Sequence, residues 1–140
     1  MGTRRKSREL TMQMLFQGDL GKQTPTEVRR LFWESREDVD AETRGFAEDI
    51  YRVASNRAEE IDGILERHSQ NWRIERMPVV DRNLLRAAIA EMLGYPNTPA
   101  AIIINESLEI ARRYAAPESL NFLNGVLDAV AKELLKKHLS

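Results

Sequence analysis

The sequence predicts an all-α fold, and three observations carry that expectation. Apolar residues recur at intervals of three and four along nearly the whole chain. No segment sustains the strict alternation of a half-buried strand. Helix-opening signals, Thr24-Pro25-Thr26-Glu27 and Thr98-Pro99, fall between the periodic stretches. Together they give about six or seven helices with short connections, and each half of the chain has enough amphipathic surface for a three-helix bundle.

In order, Leu10, Met14 and Leu15 mark a first helix running roughly from Thr3 to Leu20, stopped by Gly18 and Gly21. The capping box at Thr24–Glu27 opens a second helix with Val28, Leu31 and Phe32 on one face. A third, longer helix is expected from near Asp40, with Phe46, Ile50, Val53, Ile61, Ile64 and Leu65 along one stripe. Arg57 interrupts that stripe and is read as lying along the apolar surface with its head in water. Around Asn71 the pattern changes: Trp72, Ile74 and Met77 form an apolar connector before Pro78, which starts the next helix. Val80, Leu84, Leu85, Ala88 and Met92 carry that helix to Gly94, its expected stop. Thr98-Pro99 opens a helix bearing Ile102, Ile103, Ile110 and Ala111. Pro117 opens the last one, with Leu120, Leu123, Leu127, Val130 and Leu134 as core candidates.

A chain of 140 residues fits one domain, here residues 1–140, with helical halves at about 1–70 and 71–140. A core of that size forms without metal or disulfide staples. The absence of Cys removes disulfides, thiolate metal sites and thiol nucleophiles together. No signal-peptide pattern and no long apolar run is present, so a cytoplasmic protein with no membrane partner is expected. The net charge of −1 argues against non-specific coating of nucleic acid. It hides local asymmetry: Arg4, Arg5, Lys6 and Arg8 precede the first acid, Glu9, and Lys132, Lys136 and Lys137 crowd the other end.

Catalysis finds little support. The chain has no Gly-x-Ser-x-Gly elbow, no Gly-rich phosphate loop and no His-Glu-x-x-His helix. His68 and His138 match no metal-ligand spacing and suit helix C-terminal ends. Acid pairs such as Glu59–Glu60 and Glu106–Glu109 are the ordinary furniture of solvated helix faces. The expectation is a binding protein, with neither catalytic residues nor cofactor nor metal.

Two regions point to RNA. The N-terminal cluster Arg4, Arg5, Lys6 and Arg8 is either a solvated end or a set of phosphate-neutralising charges, with Phe16 either core or a flat surface beside them. In the last helix, Asn121-Phe122-Leu123-Asn124-Gly125-Val126-Leu127-Asp128 sets a Gly inside a good helix. Such a Gly costs about 1 kcal/mol against Ala, and close approach of another helix would explain it. Phe122 lies off the Leu120–Leu123–Leu127 stripe, as a stacking platform for a base or an ordinary rim residue.

Four ordered blocks carry a family resemblance across nearly the full chain. The run Ala101-Ile102-Ile103-Ile104-Asn105-Glu106-Ser107-Leu108-Glu109-Ile110-Ala111-Arg112 resembles the A-I-N-E-A-[IV]-E-L signature of the NusB family, and Phe122–Asp128 resembles its F-[VI]-N-G-[VI]-L-[DN] signature. Asp81-Arg82-Asn83-Leu84-Leu85-Arg86 followed by Glu91 is similar to a third block, and Arg8-Glu9 followed by Met14-Leu15-Phe16 to the basic N-terminal one.

The resemblance implies two packed three-helix bundles and an antitermination factor. Such factors bind boxA RNA with NusE, a small-subunit ribosomal protein, and join the RNA polymerase elongation complex with other Nus factors, promoting transcription of ribosomal RNA operons. By position it implies RNA-binding roles for Arg4, Arg5, Lys6, Arg8, Phe16, Asn121 and Phe122. It places Asp81, Arg86 and Glu91 at or near the NusE contact. Some members self-associate through the RNA face, so a homodimer is among the assemblies implied. Asn121 departs from the basic residue common in relatives, and Ser107 from the common Ala. A like domain also begins ribosomal RNA cytosine methyltransferases, which need an α/β domain and a Cys nucleophile that this sequence lacks. A protein-only helical adaptor is the third reading.

Overall fold

A computed structural model describes residues 2–70 and 72–139, with side chains for 3–70 and 72–137. Asn71 and the His138 side chain lie outside the described residues. Among the described residues seven helices run in order: α1 (Gly2–Gly21), α2 (Pro25–Glu34), α3 (Ala41–Asn56), α4 (Ala58–His68), α5 (Val79–Gly94), α6 (Ala100–Tyr114) and α7 (Ser119–Leu139). A 3₁₀ turn, Ile74–Arg76, lies in the connector before α5. No strand occurs among the described residues, so the chain is all-α.

Local chemistry sets most of the boundaries. Helix α1 continues through Gly18 and stops where Lys22 adopts a left-handed φ of 52°, with the Gln23 amide closing on the Gly18 carbonyl at 3.0 Å. Thr24 and Glu27 form the full capping box, each side chain receiving the other's backbone N–H. Asp40 caps α3 through the Thr43 amide at 2.8 Å. The expected single helix from Asp40 to Leu65 is two: Arg57 leaves helical geometry at φ −116°, ψ 29° and separates α3 from α4. Its guanidinium forks onto Glu60 instead of lying along the apolar stripe. Thr98 supplies no side-chain cap; Pro99 alone precedes α6. Pro117 belongs to the turn before α7, not to its first position. In α2 the buried face is Val28, Phe32 and Trp33, with Leu31 only half-buried.

Helix α5 organises the fold. It packs against α1, α3, α4, α6 and α7, and its buried residues include Leu84, Leu85, Ala87, Ala88, Ile89, Ala90 and Met92. The alanines present little bulk, so neighbours reach it from several sides. The main core runs through it without interruption, from Met12 and Ile50 on one side to Ile103, Leu123 and Val130 on the other. A second cluster, Leu10, Met14, Val28, Phe32, Trp33, Ala47 and Tyr51, joins α1, α2 and α3. The change of pattern near residues 69–77 is therefore no division in the core. Helix α4, early in the chain, packs on α5 and α7.

Of the described glycines, Gly94 has the least room for a side chain. A Cβ there would stand 2.9 Å from Val53 Cγ2, inside contact distance, so the end of α5 reaches α3 only because the side chain is missing.

Polar ties lock the layers. Ser7 and Thr11 donate to the Thr43 and Ala47 carbonyls of α3 at 2.8 and 3.0 Å. Arg82 grips Asp19 with bonds of 2.6 and 2.9 Å, and Asn83 adds a third at 2.8 Å. Burial pushes the Asp19 carboxyl up, yet the hydrogen bonds from Arg82 and Asn83 outweigh it and hold its pKa below the ordinary value.

Glu133 on α7 takes Arg67 at 2.6 Å and His68 at 2.6 Å from α4. Its hydrogen bonds, led by that from Arg67, lower its pKa from 4.5 to about 2. A depressed carboxylate contributes stability above its unfolded value and loses it as pH falls toward the folded one. Thermal melts of the wild type between pH 4.5 and 2 are expected to fall more steeply than those of Glu133→Gln. Parallel curves would remove the contribution.

Candidate nucleic-acid interface

The basic residues of α1 open onto a groove between the start of α1, Phe46 of α3, Tyr95 and α6. Arg4, Arg5, Arg8, Phe46, Tyr95, Thr98, Ile102 and Glu106 line it, around about 490 Å³ of open space. The four cations are not equivalent. Arg4 lies over the Phe46 ring, 3.8 Å from its centroid, and Phe46 in turn meets Tyr95 edge-on at 5.2 Å. That stack holds the Arg4 guanidinium at the groove wall with its charge unneutralised by any carboxylate among the described residues. Lys6 is exposed and has no ion pair among the described residues.

Arg5 and Arg8 are already paired. Arg5 forks onto Glu106 with bonds of 2.8 and 2.9 Å, which raises its own pKa and lowers that of Glu106. The Arg5 side chain is still 40% exposed, so a phosphate can compete for it. Arg8 is different. It forks onto Glu91 at 2.8 and 2.7 Å, with side chains only 11% and 2% exposed. Its primary partner is thus internal, and Glu91 lies beneath the surface, out of reach of direct partner contact. Glu9, also buried, accepts from Arg113 at 3.1 Å and from the Tyr114 hydroxyl, tying α1 to α6.

Phe16 is half-buried and packs against the main core, leaving part of its ring at the surface. Asp81 is buried in the first turn of α5; burial raises its pKa, against a hydrogen bond from Ser119 at the start of α7. Arg86 is held by Asp62 at 2.9 and 3.0 Å and by Asp19 at 3.1 Å. Of the three residues expected near NusE, only Arg86 keeps partial exposure, at 22%.

A second surface lies at the junction of α4, the connector and α7. Phe122 is half-buried against the core, and its outer face meets Trp72, with ring centroids 6.1 Å apart and planes tilted by 58°. Trp72 is 52% exposed. The two rings, with exposed Asn121, Gln70 and Gly125, line a shallow depression. Gly125 does not serve helix packing: a Cβ added there meets nothing within 4 Å.

A model of the NusB family matches residues 5–132. The chain belongs to the NusB family. It is 59% identical to the transcription antitermination protein NusB of Koribacter versatilis, over 95% of this chain and 91% of that protein. The NusB of Desulforapulum autotrophicum is 42% identical, over 93% and 92%. Among solved structures, T. maritima NusB superposes with a TM-score of 0.84 at 33% identity, over 93% of this chain and 91% of that one. A crystal structure of the antitermination factors NusB and NusE in complex with double-stranded RNA superposes with a TM-score of 0.85 at 27% identity, over 95% and 98%.

For a NusB fold, the pairing of the basic segment with α5 and α6 is the feature the sequence hid. Arg5 and Glu106 are 101 positions apart, and Arg8 and Glu91 are 83 apart. Trp72 is the other omission. It reads as one apolar connector residue among three, and only its exposure beside Phe122 separates it from Ile74 and Met77, which are buried.

Proposed function

We propose that this protein is a transcription antitermination factor that binds boxA RNA together with NusE and joins the RNA polymerase elongation complex with other Nus factors. The observation that carries the reading is the likeness, over nearly its whole length, to a NusB solved with NusE and RNA. The site fits that role. Arg4, Arg5 and Lys6 offer charge to a phosphate backbone, while Phe122 and Asn121 offer a ring and an amide to bases. Residues 1–140 act as one unit in the cytoplasm, with no catalytic step and no cofactor; among the described residues no helix is long and apolar enough to cross a membrane. The 22% exposure of the Arg86 side chain supports a role for this edge of α5 in contacting NusE.

A calorimetric titration with boxA RNA, with and without NusE, tests the reading. RNA of scrambled sequence should bind more weakly, and whatever factor NusE adds to RNA affinity, RNA must add to NusE affinity. Phe122→Ala should weaken RNA binding by roughly five- to 150-fold, the worth of one stacked base. Equal affinity for scrambled RNA, or a folded Phe122→Ala variant with full affinity, would count against the site.

A further inference from the structure

The residue beside Phe122 that the family reading leaves without a role is Trp72. Three independent features surround it. First, the indole is half-exposed on a connector and is held there: Ser69 Oγ donates to the Trp72 carbonyl at 2.9 Å, and the Trp72 amide donates to the Ser69 carbonyl at 3.0 Å. Gln70, between them, sits at φ 51°, a left-handed conformation that a side chain adopts at a cost. Second, Gly125 stands inside α7 and lines the same depression, yet a Cβ there would meet nothing. An interior helix glycine is unfavourable relative to alanine, and no contact within the molecule accounts for it. Third, Arg73 and Arg76 follow Trp72 in the connector, exposed and without an ion pair among the described residues.

These features suit a nucleotide better than an apolar segment. The depression is lined by His68, Gln70 and Asn121 as well as the two rings, so its walls carry hydrogen-bonding groups on the Watson–Crick scale. The rings give apolar faces for a base. The bare backbone at Gly125 lets a sugar or base edge come closer than any side chain would allow.

We propose that Trp72 and Phe122 form a two-ring shelf for an unpaired RNA base, and that Gly125 is a clearance position for the same nucleotide. The proposal rests on the RNA-binding reading above and extends it to two residues with no part in it so far. The shelf takes single-stranded RNA and excludes a duplex, whose bases are already stacked.

The chain carries its own reporter. It has two tryptophans, and Trp33 is 4% exposed against 52% for Trp72. Single-stranded boxA RNA should quench the emission of the full-length protein, and Trp72→Phe should abolish most of that response while keeping affinity. The same RNA annealed to its complement should bind through the basic groove with little quenching. Trp72→Ala should weaken single-strand binding by about five- to 150-fold. Gly125→Ala is the sharper variant, because nothing obstructs the added methyl within the fold. It should raise the melting temperature, as Ala outranks Gly in a helix, and yet weaken single-strand binding by about fivefold or more, at least the low end of a stacking loss. Gly125→Ala and Trp72→Ala with wild-type affinity, on a wild type that binds, would overturn the shelf alone. Quenching by NusE without RNA, or equally by duplex, would also overturn it, by assigning the surface to another occupant. A wild type that binds no boxA RNA overturns the functional reading and the shelf together.

Discussion

Arg8→Ala is expected to destabilise the fold by about 3–5 kcal/mol, because it strands the Glu91 carboxylate in a nearly closed site. Glu91 is 2% exposed and receives both prongs of the Arg8 fork, on a helix packed on several sides. For a chain of this size the loss corresponds to a fall in melting temperature of roughly 10 °C or more. The pair itself is a different matter. Replacing both partners by apolar residues of similar volume, Arg8→Met with Glu91→Leu, should bring stability back to within about 1–2 kcal/mol of the wild type, since the desolvation of two charges offsets most of their attraction. Chemical denaturation of the three proteins decides it. A single variant as stable as the wild type would mean that Glu91 finds water or another cation. The double variant also yields the RNA contribution of Arg8 free of unfolding.

Replacing Arg4, Arg5 and Lys6 together by Ala should weaken boxA binding by on the order of 100-fold at 0.1 M salt. Each single-strand phosphate contact contributes about −0.7 to the slope of log affinity against log salt, so three contribute about −2. The variant should lose that slope, and its affinity should converge with the wild type toward 1 M salt. Arg8 is left in place because its charge faces Glu91. Glu106 tempers the effect, since any phosphate on Arg5 must first displace a bidentate carboxylate. An unchanged slope in a folded variant would reduce the cluster to a solvated helix end.

The division between what was and was not legible in the sequence follows the range of the interactions. The capping box at Thr24, the stop at Gly94 and the period of α5 and α6 depend on neighbours a few positions away, and each is readable from the string. The break at Arg57 was not, because the Val53–Ile61–Leu65 stripe continues through it and one residue's dihedral change leaves the apolar phase nearly intact. Gly125 was anomalous in the sequence, but the string could not tell an internal neighbour from an external one; only the open space around it does. The candidate site suffered most. Four basic residues within five positions look equivalent, and the difference between exposed Lys6 and internally paired Arg8 depends on a glutamate in α5.

The burial of α5 has a consequence for how the chain is made. During synthesis the first 68 residues carry α1 to α4, but the apolar faces of Met12, Ile50, Ile61 and Leu65 close only against a helix that ends at Gly94. Until the ribosome has released that segment, those apolar faces lack the helix that covers them. At about 5–20 residues per second that interval lasts seconds, long compared with the microseconds in which helices form. Those faces are then the part of the young molecule most open to chaperones and to misassembly, and they close in stages, first on α5 and then, for α4, on α7 as well.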